Sequence, residues 1–343
     1  MNLLTYPLIP FSFVYAGITR SRNWLYDQEW LKSYQFSVPV INVGNLTVGG
    51  TGKTPHVEYL VRVLEDKKVA ILSRGYKRHT TGFVLASAHQ SAATLGDEPF
   101  QYFKKFSNVL IAVCEDRVHG INSLLKLKPD LEVILLDDAF QHRPVQAYLN
   151  ILLTSYNRLF FRDLVLPAGR LREGRNGAQR ADLVVVSKCP VKLPEAEEKS
   201  IVSKIHQYTK PGVPVFFSCY CYETPVPFGN KVACGKKIIL VTGLAQTESL
   251  ATYLQEAGYE VIKHFNFPDH YYYRQQDLKE ISNFAKLNQD CSILTTEKDW
   301  VKLADPIFRE QIQQLPFFYI PIKVNFLKDQ ARFNQLILKG ITH

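Results

Sequence analysis

Residues 44–55 read Gly-Asn-Leu-Thr-Val-Gly-Gly-Thr-Gly-Lys-Thr-Pro, between an apolar run from Val38 to Val43 and a helix-like run from His56 to Leu64. A strand, a glycine-rich turn, Lys-Thr and a helix, in that order, make a phosphate-binding loop. Gly49, Gly50, Thr51 and Gly52 bring backbone N–H groups around phosphate oxygens. Lys53 reaches the β- and γ-phosphates, and the Thr54 hydroxyl ligates Mg²⁺. The full pattern has glycine where this chain has Thr47, but the flanking strand, the helix and the Gly49-Gly50 pair restore the match. The segment implies a protein that binds a nucleoside triphosphate.

The rest of the chain supplies a sheet for that loop. Apolar strand candidates fall at 38–43, 68–73, 109–113, 132–136, 149–153 and 182–187, and helices at 55–66, 99–106 and 117–126. Buried strands alternating with helices predict an α/β fold: a P-loop NTPase-like, mainly parallel sheet flanked by helices. Ligands of such sheets lie beyond the carboxyl ends of the strands. Around 208–236, four prolines punctuate short aromatic strands, and 238–243 starts a new strand–turn–helix series. The expected division is a P-loop domain over 1–222 and a smaller α/β domain over 223–343. A return of the tail to the first domain is allowed, and a cleft between the two suits phosphoryl transfer. A length of 343 residues accommodates two domains.

The formal net charge of +9 points to a polyanionic partner without choosing nucleic acid, anionic membrane or phosphorylated substrate. Six cysteines show no C-x-x-C pair or zinc spacing, so reduced thiols with no disulfide and no structural metal are expected. Residues 3–18 are uncharged, lack a basic leader and contain Pro7 and Pro10. The segment makes a poor secretory signal and falls short of the ~20 residues that span a bilayer. Arg20, Arg22, Trp24, Tyr26 and Trp30 follow it, a composition suited to a membrane–water boundary; a buried N-terminal helix is the alternative.

Several clusters fall where chemistry is expected. Glu132–Asp138 reads EVILLDD, which sets Asp137 and Asp138 at the carboxyl edge of a strand. A P-loop enzyme needs a Mg²⁺-organising aspartate there, and either residue suits. Gly96-Asp97-Glu98-Pro99 opens a helix; Asp97 either caps it or serves as a general base. Phe267-Pro268-Asp269-His270 places a histidine in a loop of the second domain. Residues 166–175 (LPAGRLREGR) set three arginines among small residues, a pattern suited to phosphate. Arg74, in Ser-Arg-Gly-Tyr, and Arg117, in Glu-Asp-Arg, each follow a strand. Thr295–Asp299 ends a strand, facing the nucleotide cleft or capping a helix.

Taken in order, GNLTVGGTGKTP, SRGY, GDEP, EDR, DDAFQHR, LPAGRLREG, FPDHY and TEKD resemble the tetraacyldisaccharide 4′-kinase family of lipid A synthesis, over about residues 4–303. The resemblance implies a two-domain P-loop kinase using ATP and Mg²⁺. It phosphorylates the 4′-hydroxyl of a tetraacylated glucosamine disaccharide 1-phosphate at the cytoplasmic face of the bacterial inner membrane, as a peripheral protein and a monomer without nucleic acid. Lys53 and Thr54 then match the phosphate and Mg²⁺ residues, Asp97 the general base and His270 its partner. Asp137 and Asp138 match the acidic metal pair. Arg74, Arg117, Arg172 and Glu173 match polar substrate positions, and residues 3–30 a membrane-docking helix. Ala139 stands where the family often has glycine, and Tyr271 where many members have histidine; neither carries a proposed chemical role.

Two rival classes remain at this level. A P-loop ATPase of the partitioning or metal-insertion type shares the GG-x-GKT loop, though many carry a lysine where this chain has Val48. A nucleic-acid binder has only the net charge in its favour, with no basic run or aromatic-interleaved patch.

Overall fold

The computed structural model describes residues 3–230, 233–244, 247–269, 271–339 and 341. The apolar runs form β1 (Val40–Asn45), β2 (Val69–Ser73), β3 (Val84–Leu85), β4 (Leu110–Val113), β5 (Val133–Asp137), β6 (Leu149–Ser155), β7 (Leu183–Ser187) and β8 (Val215–Tyr222). Their helices are α1 (Ile9–Asp27), α2 (Lys53–Val63), α3 (Ala92–Leu95), α4 (Asp97–Lys105), α5 (Arg117–Leu127) and α6 (Glu195–His206). The later series is β9 (Val226–Pro227), β10 (Lys237–Thr242), α7 (Glu248–Glu256), β11 (Glu260–Asn266), α8 (Gln275–Leu287), β12 (Ser292–Thr296), α9 (Glu297–Leu303), α10 (Arg309–Gln313), β13 (Phe317–Ile320), β14 (Ile322–Phe326) and α11 (Gln330–Lys339).

Among the described residues the strands make a nine-stranded sheet, ordered β14-β8-β7-β6-β1-β5-β2-β4-β3, and a five-stranded sheet, ordered β11-β10-β12-β13-β9. Strands β1, β2, β5 and β7 are buried along their whole length. That explains their unbroken apolar sequence: a parallel strand covered on both faces has no solvent side to alternate toward. The antiparallel neighbours, β3 and β14, stand at the two edges of the first sheet.

On one face, Val57 and Leu60 of α2 pack with Ile41, Val43, Ile71 and Leu135. Full burial of each such side chain contributes ~1.5–3 kcal/mol. The opposite face packs Val40, Leu72, Ile134 and Leu136 around Ile121 and Leu124 of α5. The second sheet has its own core, built on Ile239, Val241, Leu278, Ile293 and Phe317.

The chain passes from the first sheet to the second after β8 and comes back as β14, which pairs antiparallel with β8. Phe333 and Ile337 of α11 then close the first core beside Val57 and Tyr59. Val43 is in register with Asp137, so the ends of β1 and β5 lie side by side. This places the acidic pair next to the phosphate loop.

Candidate active site

The loop after β1 is held open by its neighbours. Gly49 (φ +114°) and Gly52 (φ +86°) occupy the left-handed region, and a Cβ at Gly52 would overlap the Tyr220 hydroxyl. Glycine is required there by conformation and by space. The Val48 N–H donates to Arg170 C=O (2.7 Å) and the Arg172 N–H to Leu46 C=O (2.7 Å), which straps the loop to residues 170–172. Asn45 donates its amide to Thr51 Oγ1 at 2.5 Å, and Ser187 Oγ donates to Thr51 C=O at 2.7 Å. His56 Nδ1 donates to Gly52 C=O at 2.7 Å, which leaves Nε2 to accept from Ser218 Oγ at 3.0 Å. Burial holds His56 down to about 4, so it is neutral at physiological pH. No side chain caps α2. Its first N–H groups, with the positive end of the helix dipole, are available to an anion.

The two aspartates are turned to different tasks. Asp138 has a left-handed backbone (φ +55°) and receives a two-pronged Arg172 guanidinium at 2.9 and 3.0 Å, with Lys53 Nζ at 3.6 Å. Burial opposes its ionisation, but Lys53, Arg172 and Arg117 outweigh burial and hold its carboxyl below the usual carboxylate range. Asp137 points inward. Tyr102 donates to its Oδ2 at 3.1 Å, while Oδ1 is buried with no hydrogen-bond partner. Burial, then the neighbouring Glu98 charge, pushes Asp137 up to about 7. Burial also raises the Tyr102 phenol far above its ordinary value, so it acts only as a neutral donor, and it is within reach of Thr54 as well.

A buried, half-satisfied carboxylate beside a threonine hydroxyl fits a divalent cation. No cluster of three His, Cys, Asp or Glu side chains with metal-holding geometry occurs among the described residues. That is compatible with Mg²⁺, which takes one or two protein oxygens and completes its shell with water and phosphate.

Asp97 begins α4 and is buried, with Lys302 Nζ of α9 at 3.7 Å from its Oδ2. Lys302 is itself held by Asp299 Oδ1 at 3.4 Å and by Tyr271 C=O at 3.1 Å. The TEKD segment therefore caps and joins. Thr296 Oγ1 caps α9 by accepting from the Asp299 N–H (3.2 Å), and Asp299 accepts from the Gly243 N–H (2.9 Å). Glu297 pairs with Lys105 of α4 at 2.5 Å, and Lys105 also meets Glu58 of α2 at 2.6 Å. Val301 and Trp300 pack against Leu95, Phe100 and Val113. The two sheets thus meet along α4 and α9. Asp269 pairs with Lys298 at 2.8 Å, and His270 lies outside the described residues.

Arg117 is buried. Its NH1 donates to Glu115 C=O at 2.9 Å, Nε has no hydrogen-bond partner, and Arg74 stands exposed nearby. His142 accepts from the Arg117 N–H at 3.3 Å; burial, then the Arg117 charge, lowers it to about 4. Glu173 is buried, accepting from Asn23 (2.6 Å), Gln141 (2.9 Å) and Arg180 (2.7 Å). It ties α1 to the loop after β5. Ser12 adds a second attachment, donating to Val165 C=O and accepting from the Ala168 N–H, both at 2.9 Å. With its polar residues so used, α1 exposes Phe11, Phe13, Val14, Ile18 and Trp24 to solvent. Among the described residues no helix is long and apolar enough to cross a membrane.

Tyr102, Lys105 and Lys302 are absent from the sequence reading. Lys302 had a signal in its i, i+3 spacing from Asp299. Tyr102 and Lys105 had none beyond sharing the helix that Asp97 opens.

A family model described as tetraacyldisaccharide-1-P 4′-kinase matches residues 4–342. A tetraacyldisaccharide 4′-kinase of Flavobacterium psychrophilum is 42% identical over 347 residues, covering 99% of this chain and 98% of its own. That of Cytophaga hutchinsonii is 44% identical over 336 residues, covering 97% and 94%. Among solved structures, the "apo" form LpxK from Aquifex aeolicus in complex with ATP superposes with a TM-score of 0.77 at 32% identity, over 99% of this chain and 100% of that one.

Proposed function

The chain belongs to the tetraacyldisaccharide-1-P 4′-kinase family, and from that premise we propose how its own residues carry out the reaction. It is an ATP-dependent kinase of lipid A biosynthesis, acting at the 4′-position of a tetraacyldisaccharide 1-phosphate. A full-length match to this family disfavours the partitioning or metal-insertion ATPase.

The pairing of Lys53 with Asp138 beside the phosphate loop, with buried Asp97 meeting Lys302 of the second sheet's α9, carries the reading. Loop N–H groups from Gly49 to Thr54 and the Lys53 ammonium take the triphosphate. Asp138, clamped by Arg172, fixes Lys53. Thr54 and Asp137 would hold Mg²⁺, which when bound would neutralise phosphate charge during transfer. Asp97 accepts the proton of the 4′-hydroxyl as that oxygen attacks the γ-phosphorus in line, and His270 is its partner. Lys302, an ammonium anchored by Asp299, keeps the Asp97 carboxylate in place. Arg74 and Arg117 face the sugar headgroup with Arg172, while Glu173 acts through the elements it joins. Residues 1–222 with the tail returning from 322 form the kinase domain, and residues 223–321 the cover over its cleft.

The exposed apolar side of α1, with Arg20 and Lys32 at its margin, supports docking on an anionic bilayer from the cytoplasmic side, where a four-chain lipid presents its sugars.

The test is transfer of labelled γ-phosphoryl from ATP to the lipid disaccharide 1-phosphate. Asp97→Asn lowers kcat by roughly 10²- to 10⁴-fold, the usual worth of a general base, and leaves ATP affinity within about threefold. Equal losses in ATP binding and turnover would remove Asp97 from the base role.

A further inference from the structure

Strand β7 ends against the phosphate loop, where Ser187 Oγ donates to Thr51 C=O at 2.7 Å. The next residue, Lys188, has φ +58°, a left-handed backbone uncommon outside glycine and asparagine. The ammonium is brought over the loop: a Cβ placed on Gly50 would lie 3.6 Å from Lys188 Nζ. The Tyr220 ring is also near, with its centroid 5.8 Å from the ammonium.

Four other cations around the loop and its cleft are paired. Lys53 and Arg172 meet Asp138, Lys105 meets Glu58 and Glu297, and Lys302 meets Asp97 and Asp299. Lys188, half-buried, has no hydrogen bond to an acceptor and no ion pair among the described residues. Burial alone holds its ammonium below the ordinary lysine range, with no carboxylate to offset it. A cation desolvated without a counter-charge costs stability, and a strained backbone adds to that cost.

The sheet order locates what it faces. In the run β7-β6-β1-β5, the phosphate loop follows β1, and Asp137 and Asp138 end or follow β5. Lys188 lies on the opposite flank of the loop, away from the acids and from Asp97.

We propose that Lys188 is a second nucleotide-binding cation, meeting phosphate oxygens at the nucleoside end of ATP or ADP with Tyr220 near it. It contributes affinity for nucleoside di- and triphosphates alike and takes no part in the transfer step. The proposal rests on the nucleotide site assigned above to Lys53 and its loop.

The experiment compares full-length wild type with Lys188→Met, Lys188→Arg and Lys53→Met. It measures calorimetric ADP binding, ATP-dependence of lipid phosphorylation, and thermal unfolding with and without ADP. Lys188→Met is expected to weaken ADP binding roughly tenfold, as loss of a charge-assisted contact does. It raises KM for ATP by a similar factor and changes kcat by less than about threefold. Lys188→Arg recovers most of the affinity. Ligand-free Lys188→Met melts higher than wild type because an unpaired charge has been removed, yet gains less from ADP; a merely structural lysine gives the reverse order. Wild-type ADP affinity in Lys188→Met, or a fall in kcat with affinity intact, overturns the proposal. If Lys53→Met also binds ADP as wild type does, the nucleotide site itself is misassigned and the role of Lys188 falls with it.

Discussion

Lys105 offers the sharpest test of how the two sheets are joined. Its ammonium lies between Glu58 of α2 (2.6 Å) and Glu297 of α9 (2.5 Å). The three side chains are 13%, 1% and 7% exposed, so this is a desolvated triad. Burial, then the charge of Glu58, raises the Glu297 carboxyl, with Lys105 pulling the other way.

Lys105→Met leaves two buried carboxylates facing one another with only the part-exposed Arg62, 3.4 Å from Glu58, as a counter-charge. Breaking a buried pair in this way costs ~3–5 kcal/mol near neutral pH. The variant's Glu297 is pushed further above its unfolded value, so the folded state binds the extra proton. Stability is then highest below the unfolded pKa and falls as pH rises through the raised one. Acidification from pH 7.5 to 5.5 recovers part of the loss, at no more than ~1.4 kcal/mol per pH unit for one proton.

Urea unfolding followed at Trp300, which stacks on Tyr319 with ring centroids 4.3 Å apart, reads out the junction. Adding Glu297→Gln to the variant is expected to restore more than half of the stability by removing the repulsion. A Lys105→Met protein within ~1 kcal/mol of wild type at pH 7.5, with unchanged pH dependence, would refute the reasoning: the triad would then be solvated.

Tyr102→Phe removes the buried donor to Asp137 Oδ2; it is expected to cost ~1.5–3 kcal/mol in urea unfolding and to raise the Mg²⁺ concentration needed for half-maximal turnover. An unchanged Mg²⁺ dependence would separate this hydroxyl from the metal site. Phe13→Asp combined with Ile18→Asp, at side chains 74% and 64% exposed, is expected to lower sedimentation with anionic vesicles at least tenfold while ATP binding in solution stays as in wild type. Retained vesicle binding would show that α1 is not the docking surface.

Much of the first sheet was legible because buried parallel strands have a plain signature. Candidates at 68–73, 109–113 and 182–187 correspond to β2, β4 and β7. Glycines with positive φ marked the loop after β1 for the same local reason. The side chains that join elements were not legible. Glu58 and Lys105 are 47 residues apart and Lys105 and Glu297 are 192 apart, and no local pattern encodes such a meeting. Asp137 and Asp138 illustrate the limit well. Sequence put both at the strand end, but only the left-handed turn at Asp138 sends one carboxylate to Arg172 and leaves the other to Tyr102.

Tyr222 and Ile322 are registered partners at the mouth of an antiparallel pair. Everything from 223 to 321 therefore occupies the place of a hairpin turn. The second sheet is a passenger spliced into one corner of an otherwise continuous scaffold, and its entrance and exit are adjacent. Such an arrangement lets a module be acquired, exchanged or enlarged without disturbing the register of the strands that flank it. It also means that the stretches on either side of the insertion belong to the same body, so α11 helps to finish the core that the phosphate loop began.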